Sequence, residues 1–254
     1  MRSILLFAIL ISTGHAADFT TYIGDQNQYQ VSAIATDAAG DTYVTGSRTI
    51  LIPGNPLSDV FVTKLDPAGN IVFTTTFGGK GSDQGNAIAL DAAGNIWVGG
   101  VTDSGNFPLL DALPVAATGG GFLVRLAPDG IVAYSSYFYG AVNGVAIDAG
   151  GNVYVTGTTV ASDFPTTPGL PAGKVSVLNS FITSGAFVTK LDPAARKILY
   201  SALIVGTRLG CGACPPEREI TSGAAIAVDP AGEALIAGNT NTIGLPITAG
   251  QLAG

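Results

Sequence analysis

Short apolar runs, broken at regular points by Asp and Gly, set the pattern of this chain. "AIAL" at 87–90 is followed by "DAAGN" and then by "IWVGG" at 96–100. A strand with one wet face alternates apolar and polar residues, whereas a strand covered on both faces reads as a continuous apolar run. These runs are of the second kind and predict strands buried on both sides. Between them, Asp accepts a backbone N–H two residues on and Gly supplies a positive φ, the chemistry of a hairpin turn. No stretch beyond the N-terminus carries the period of a long amphipathic helix.

The phrase is written four times, opening at Asp37, Asp91, Asp148 and Asp229, with spacings of 54, 57 and 81 residues. A period of about 40–55 residues is that of a unit of several strands. Each unit reads as a small first strand ("SAIATD", "NAIALD", "GVAID", "AAIAVD") and a second strand ("TYVTG", "IWVGG", "VYVTG", "ALIAG"). A third ("FVTKL", "FLVRL", "FVTKL") and an aromatic-rich fourth follow in the first three units. The "DPAGN" turn at 66–70 joins third to fourth strand as "DAAGN" joins first to second. The unit is therefore a four-stranded antiparallel meander. Small sheets that are apolar on both faces must be covered on both, and radial stacking meets that need. The Ala-rich first strands suit a crowded centre. The aromatics Tyr22, Phe73, Phe77, Tyr134, Tyr137 and Tyr200 are expected in the outermost strand, where blades diverge. The expected fold is all-β, a β-propeller of about three full blades (31–77, 85–138, 143–204) and a partial fourth (223–254). A loop insertion at 205–222 accounts for the longest spacing. The fourth unit reaches "LPITAGQLAG" where an "FVTKL" strand is due, so the chain reads either as part of a larger propeller or as an imperfect four-bladed one. The "FTTYIG" at 19–24 is an extra fourth-strand phrase that could help complete blade four.

These units resemble SBBP β-propeller repeats and, more distantly, NHL propellers, which share the D-x-x-G-N-x-Y-V hairpin. "VAIDAGGNVYVTG" at 145–157, "SDFPTTPG" at 162–169 and "AFVTKLDP" at 186–193 carry the resemblance. It implies a secreted bacterial repeat protein and brings no general catalytic residues with it.

The first sixteen residues stand apart. Arg2, the apolar run Ile4–Ile11 and "GHA" ending at Ala16 form a secretory signal pattern, too short to span a bilayer. The mature chain is expected to be secreted, extracellular, at the cell surface or periplasmic. Cleavage would remove His15, the single histidine. The formal net charge of -7 would fall by one more unit with Arg2, a balance that disfavours nucleic acid. No later run is long enough for a membrane span.

Cys211 and Cys214 form a C-x-x-C in the inserted loop. A local disulfide in an exported loop is the expected state; redox chemistry would want a helix N-terminus, and zinc two further ligands. The repeated Asp residues, Asp66 and Asp192 included, fit turns better than calcium, which needs several oxygens in one loop. Lys64, Arg125 and Lys190 recur in the third strand, as an anion-binding ring or as strand-end charges that discourage edge pairing. Tyr43, Trp97 and Tyr154 share one place in the second strand, as ligand-face aromatics or as filling between blades. The Pro- and Gly-rich loops after the second strands are where a partner surface is sought first. No cofactor is implied. The expectation is a non-enzymatic binding or scaffold module for a protein or carbohydrate partner, with self-association through an open blade edge as a further option. The alternative, a propeller lyase or hydrolase, is disfavoured because a mature chain without His lacks the usual base near neutral pH.

Overall fold

The computed structural model describes residues 6–8, 19–50, 57–115, 120–178, 181–206, 220–242 and 244–245. Every regular element among them is a strand. The chain forms two compact units, Met1–Tyr137 and Phe138–Gly254.

In the first unit, β1 (Leu6–Ala8) pairs antiparallel with β2 (Phe19–Thr21). The start of the "FTTYIG" phrase is thus engaged with the N-terminal segment rather than with a blade, and its Tyr22, just beyond β2, is 50% exposed instead of filling a gap. Next, β3 (Gln28–Thr36), β4 (Thr42–Ile50), β5 (Leu57–Leu65) and β6 (Ile71–Phe77) form a sheet in chain order. A second sheet holds β7 (Asp83–Leu90), β8 (Ile96–Thr102), β9 (Gly121–Leu126) and β10 (Val132–Phe138). The two sheets share one core: Tyr43, Val60 and Val62 from the first meet Ile96, Val98, Phe122, Val124 and Leu126 from the second. The continuous apolar runs are explained by this covering.

The second unit holds the sheet of β11 (Ala141–Ile147), β12 (Val153–Thr159), β15 (Gly185–Leu191) and β16 (Ile198–Ile204). A small hairpin of β13 (Ser176–Leu178) and β14 (Phe181–Thr183) lies within the connection between β12 and β15. Among the described residues the fourth unit contributes a hairpin, β17 (Thr221–Val228) with β18 (Ala234–Thr240). The fold is an all-β propeller type: the described residues form three four-stranded blades and the first two strands of a fourth.

One local device recurs in every blade. The first strand bulges where it meets the second, between Val31 and Ala33, Gly85 and Ala87, Val142 and Gly144, and Gly223 and Ala225. The bulge pushes a first-strand carbonyl against the second strand. A Cβ at Gly46, Gly100, Gly157 or Gly238 would lie 1.8–2.0 Å from the oxygen of Gln30, Gln84, Ala141 or Ser222. Only Gly fits beneath such a bulge. The third strand then lays a Phe opposite that Gly, in the pairs Gly46 with Phe61, Gly100 with Phe122 and Gly157 with Phe187.

Candidate functional site

The most strongly repeated polar group is the turn between first and second strands. Asp37 accepts hydrogen bonds from the N–H groups of Ala39 and Asp41, both at 2.9 Å. Asp91 does the same for Ala93 and Asn95, Asp148 for Gly150 and Asn152, and Asp229 for Ala231 and Glu233. A Gly with φ between 79° and 88° closes each turn. One carboxylate oxygen is therefore spent on backbone N–H groups in all four copies. Among the described residues no group of three His, Cys, Asp or Glu is placed to hold a metal ion.

The other oxygen serves the aromatic of the second strand. The hydroxyl of Tyr43 donates to Asp37 at 3.1 Å, the indole N–H of Trp97 to Asp91 at 3.3 Å, and the hydroxyl of Tyr154 to Asp148 at 3.0 Å. The third strand brings a cation over each ring: Lys64 lies 5.1 Å from the centre of Tyr43, Arg125 5.4 Å from Trp97 and Lys190 4.7 Å from Tyr154. Lys64 also pairs with Asp41 at 2.7 Å, and Lys190 with Asp148 at 3.2 Å. Burial alone would raise the pKa of Asp148, but donors from Asn152, Tyr154 and Lys190 outweigh it and hold the carboxyl well below the ordinary range. The hydrogen bonds to Asp41 and Tyr43 push Lys64 up. The three second-strand aromatics are buried, at 2%, 0% and 0% exposure, with Trp97 tilted on Tyr134 and Tyr154 edge-on to Tyr200. Rings so covered hold the blade together and offer no open face to a ligand. Nor do Lys64 and Lys190 stand bare as an anion ring would require, since each has its own carboxylate. Cys211 and Cys214 lie outside the described residues.

A second polar group was not legible in the repeat. Asp83 opens β7 fully buried and accepts from Thr102, from Ser104 at 2.9 Å and from the Gly79 N–H at 2.7 Å. Asp59 of β5 lies beside it. A Cβ at Gly78 would be 2.3 Å from an Asp59 oxygen and 2.7 Å from an Asp83 oxygen. Burial, and then the Asp83 carboxylate, push the Asp59 carboxyl above its ordinary range. The two acids are far apart in sequence and come from different blades, so only packing brings them together.

The loops after the second strands are pinned rather than loose. Phe107 stacks on Phe122 with ring centres 4.9 Å apart, and its N–H donates to Tyr137. Phe164 packs on Phe187 at 5.1 Å. Backbone bonds between Leu110 and Ser135, and between Pro171 and Leu203, tie each loop to the outer strand of its sheet. The loops still expose Leu109 (50%), Leu110 (46%) and Leu170 (39%).

Residues 72–108 match the family model of SBBP, described as a β-propeller repeat. That span runs from the fourth strand of one sheet through the first two strands of the next and into the Phe107 loop. No curated protein matches the chain. A solved structure described as a proposed gluconolactonase covers 85% of this chain and 76% of its own at 16% identity, with a TM-score of 0.33. So low a score says nothing about the chemistry of this chain. Residues 72–108 thus carry an SBBP-type β-propeller repeat, and the same strand order, bulge, turn and Phe–Gly pairing are built three times over in this all-β chain.

Proposed function

We propose that this is an exported, non-enzymatic propeller that acts as a binding or scaffold module for a protein or carbohydrate partner. The observation that carries the reading is how its polar residues are spent. The recurring Asp, aromatic and cation groups are closed on one another inside each of the three four-stranded blades, while the anchored loops at 103–115 and 160–173 present apolar side chains to solvent. Loops of this kind on a stiff scaffold are where binding surfaces are built. Export is supported by the Arg2, Ile4–Ile11 and Ala16 pattern. Intact-mass measurement of the protein recovered from outside the cytoplasm should place its N-terminus at Ala17. Binding is tested on immobilised polysaccharides and peptide arrays. A hit that the L109D/L110D or L170D variants lose, at unchanged thermal midpoint, supports the reading; retention in both variants sinks it.

The second reading, a propeller hydrolase or lyase, is favoured by the Asp59–Asp83 pair alone. A raised carboxyl beside a second carboxylate is an acid/base arrangement. Product release from the same polysaccharides, abolished by Asp59→Asn, would decide for it and against the non-enzymatic reading.

A further inference from the structure

From the fourth blade, of which the described residues hold the hairpin of β17 and β18, we infer that the outer edge of β18 is a docking site for one extended strand of the chain's own third-strand type, Phe-x-(Thr/Val)-(Lys/Arg)-Leu. This rests on the blade geometry, although the groove it uses is also bordered by Thr167, Leu170 and Pro171 of the 160–173 loop.

The other blades show what β18 lacks. Its Leu235 holds the place of Tyr43, Trp97 and Tyr154, yet is 60% exposed where those are buried. Its Gly238 holds the place of Gly46, Gly100 and Gly157. Those three have a Phe ring of the third strand at 2.7–3.1 Å from a Cβ position, whereas the nearest atoms around Gly238 belong to Ser222 and Gly223. The neighbouring sheet is bare to match. Val62 of β5 is completely buried against Phe122 and Val124 of the next blade. Its counterpart Val188 of β15 instead lines an open groove of about 600 Å³ with Tyr200, Ala202, Ile204, Ala234 and Ile236. The groove continues the blade-to-blade interface that β17 already makes with β11, β12 and β15.

Register and charge specify the occupant. Run antiparallel along β18 as β5, β9 and β15 run along β4, β8 and β12, the strand sets its Phe opposite Gly238. Its Thr or Val then faces Ile236, its basic residue faces Leu235, and its Leu faces Ala234. Phe, Thr/Val and Leu enter the groove. The basic residue lies on the opposite face, over Leu235 and beside the turn. There Glu233 stands where Asp41 pairs with Lys64, and Asp229 where Asp148 pairs with Lys190. Among the described residues no cation pairs with Asp229 or Glu233. The mode is strand addition: main-chain bonds to the open edge give affinity, and alternate side chains give selectivity.

The test is fluorescence anisotropy of the full chain with a labelled peptide of residues 185–193, GAFVTKLDP, read beside hydrogen exchange. Saturable binding with new protection of the β18 amides is expected. The Phe187→Ala peptide and a scrambled peptide should bind at least about tenfold more weakly. The exposed-turn variant Glu233→Lys should weaken the native peptide and favour the Lys190→Glu peptide, a swap that loss of folding cannot mimic. Equal binding of the scrambled peptide, no binding up to about 1 mM, or a dimer in sedimentation whose second copy already protects β18 would each overturn the inference.

Discussion

A carboxylate held by N–H donors, a hydroxyl and an ammonium group, as Asp148 is, favours its charged form. Its pKa is depressed on folding, so the stability it contributes is present above the unfolded value of 3.8 and is lost as pH falls below it. Asp59 has the opposite sign. Its raised pKa means that the charged form is penalised in the folded state, and stability is lost as pH rises through the folded value. At pH 7, Asp148→Asn should therefore cost about 1–3 kcal/mol, and Asp59→Asn should stabilise. Below pH 3 the Asp148→Asn difference should shrink towards zero. Urea denaturation across pH 2–8 measures both. The glycines under the bulges make a steric case with no charge in it. In Gly157→Ala the new methyl would sit 1.8 Å from the Ala141 carbonyl oxygen, so backbone must move. A loss of roughly 3 kcal/mol or more is expected, against about 1 kcal/mol for Gly94→Ala, where a Cβ meets only Pro128 at 3.6 Å and the cost is the positive φ. Ala195, which takes the turn place of Gly69 at φ 54°, shows that a methyl can be carried there.

Elements were legible to the extent that their pattern repeats. The both-faces-apolar runs gave strands, and the Asp–Gly phrases gave turns whose hydrogen bonds are all formed. The bulge was hidden, although its trace was in plain view: Gly closes "TYVTG", "IWVGG", "VYVTG" and "ALIAG" alike. A Gly within a strand signals close backbone approach. Tyr43, Trp97 and Tyr154 could be aligned from sequence but not assigned a face, because burial depends on the cation-bearing strand laid over them. The Asp59–Asp83 pair was beyond reach, since neither residue belongs to the repeat. The loop anchors were half visible: "NFP" and "DFP" set a Phe at the same place, and the structure stacks both on the third-strand Phe. Phe164 is 7% exposed, and Phe164→Ala should cost about 3–5 kcal/mol if the loop is part of the folded core. Limited proteolysis within 160–173 should then appear in the variant and not in the parent chain. Equal resistance would mean that the backbone bonds to β16 suffice to hold the loop.

For the molecule as a whole, sparse and acidic charge has consequences that the fold does not. Only 11% of residues are charged, and the sequence pI is about 4.4. A chain near zero net charge loses the repulsion that keeps copies apart. Among the described residues this one also carries an open apolar groove and, on β18, an unpaired strand edge. Edges of that kind pair with other chains unless charge or cover prevents it. Glu233 and Asp229 place negative charge beside that edge. Self-association should therefore peak near the pI of about 4.4 rather than rise steadily with acid, and the third-strand peptide should suppress it by covering β18. Light scattering against pH, with and without that peptide, measures both effects. A scattering maximum that the peptide leaves unchanged would locate the sticky surface elsewhere, at the exposed Leu109 and Leu110 loop before any other place.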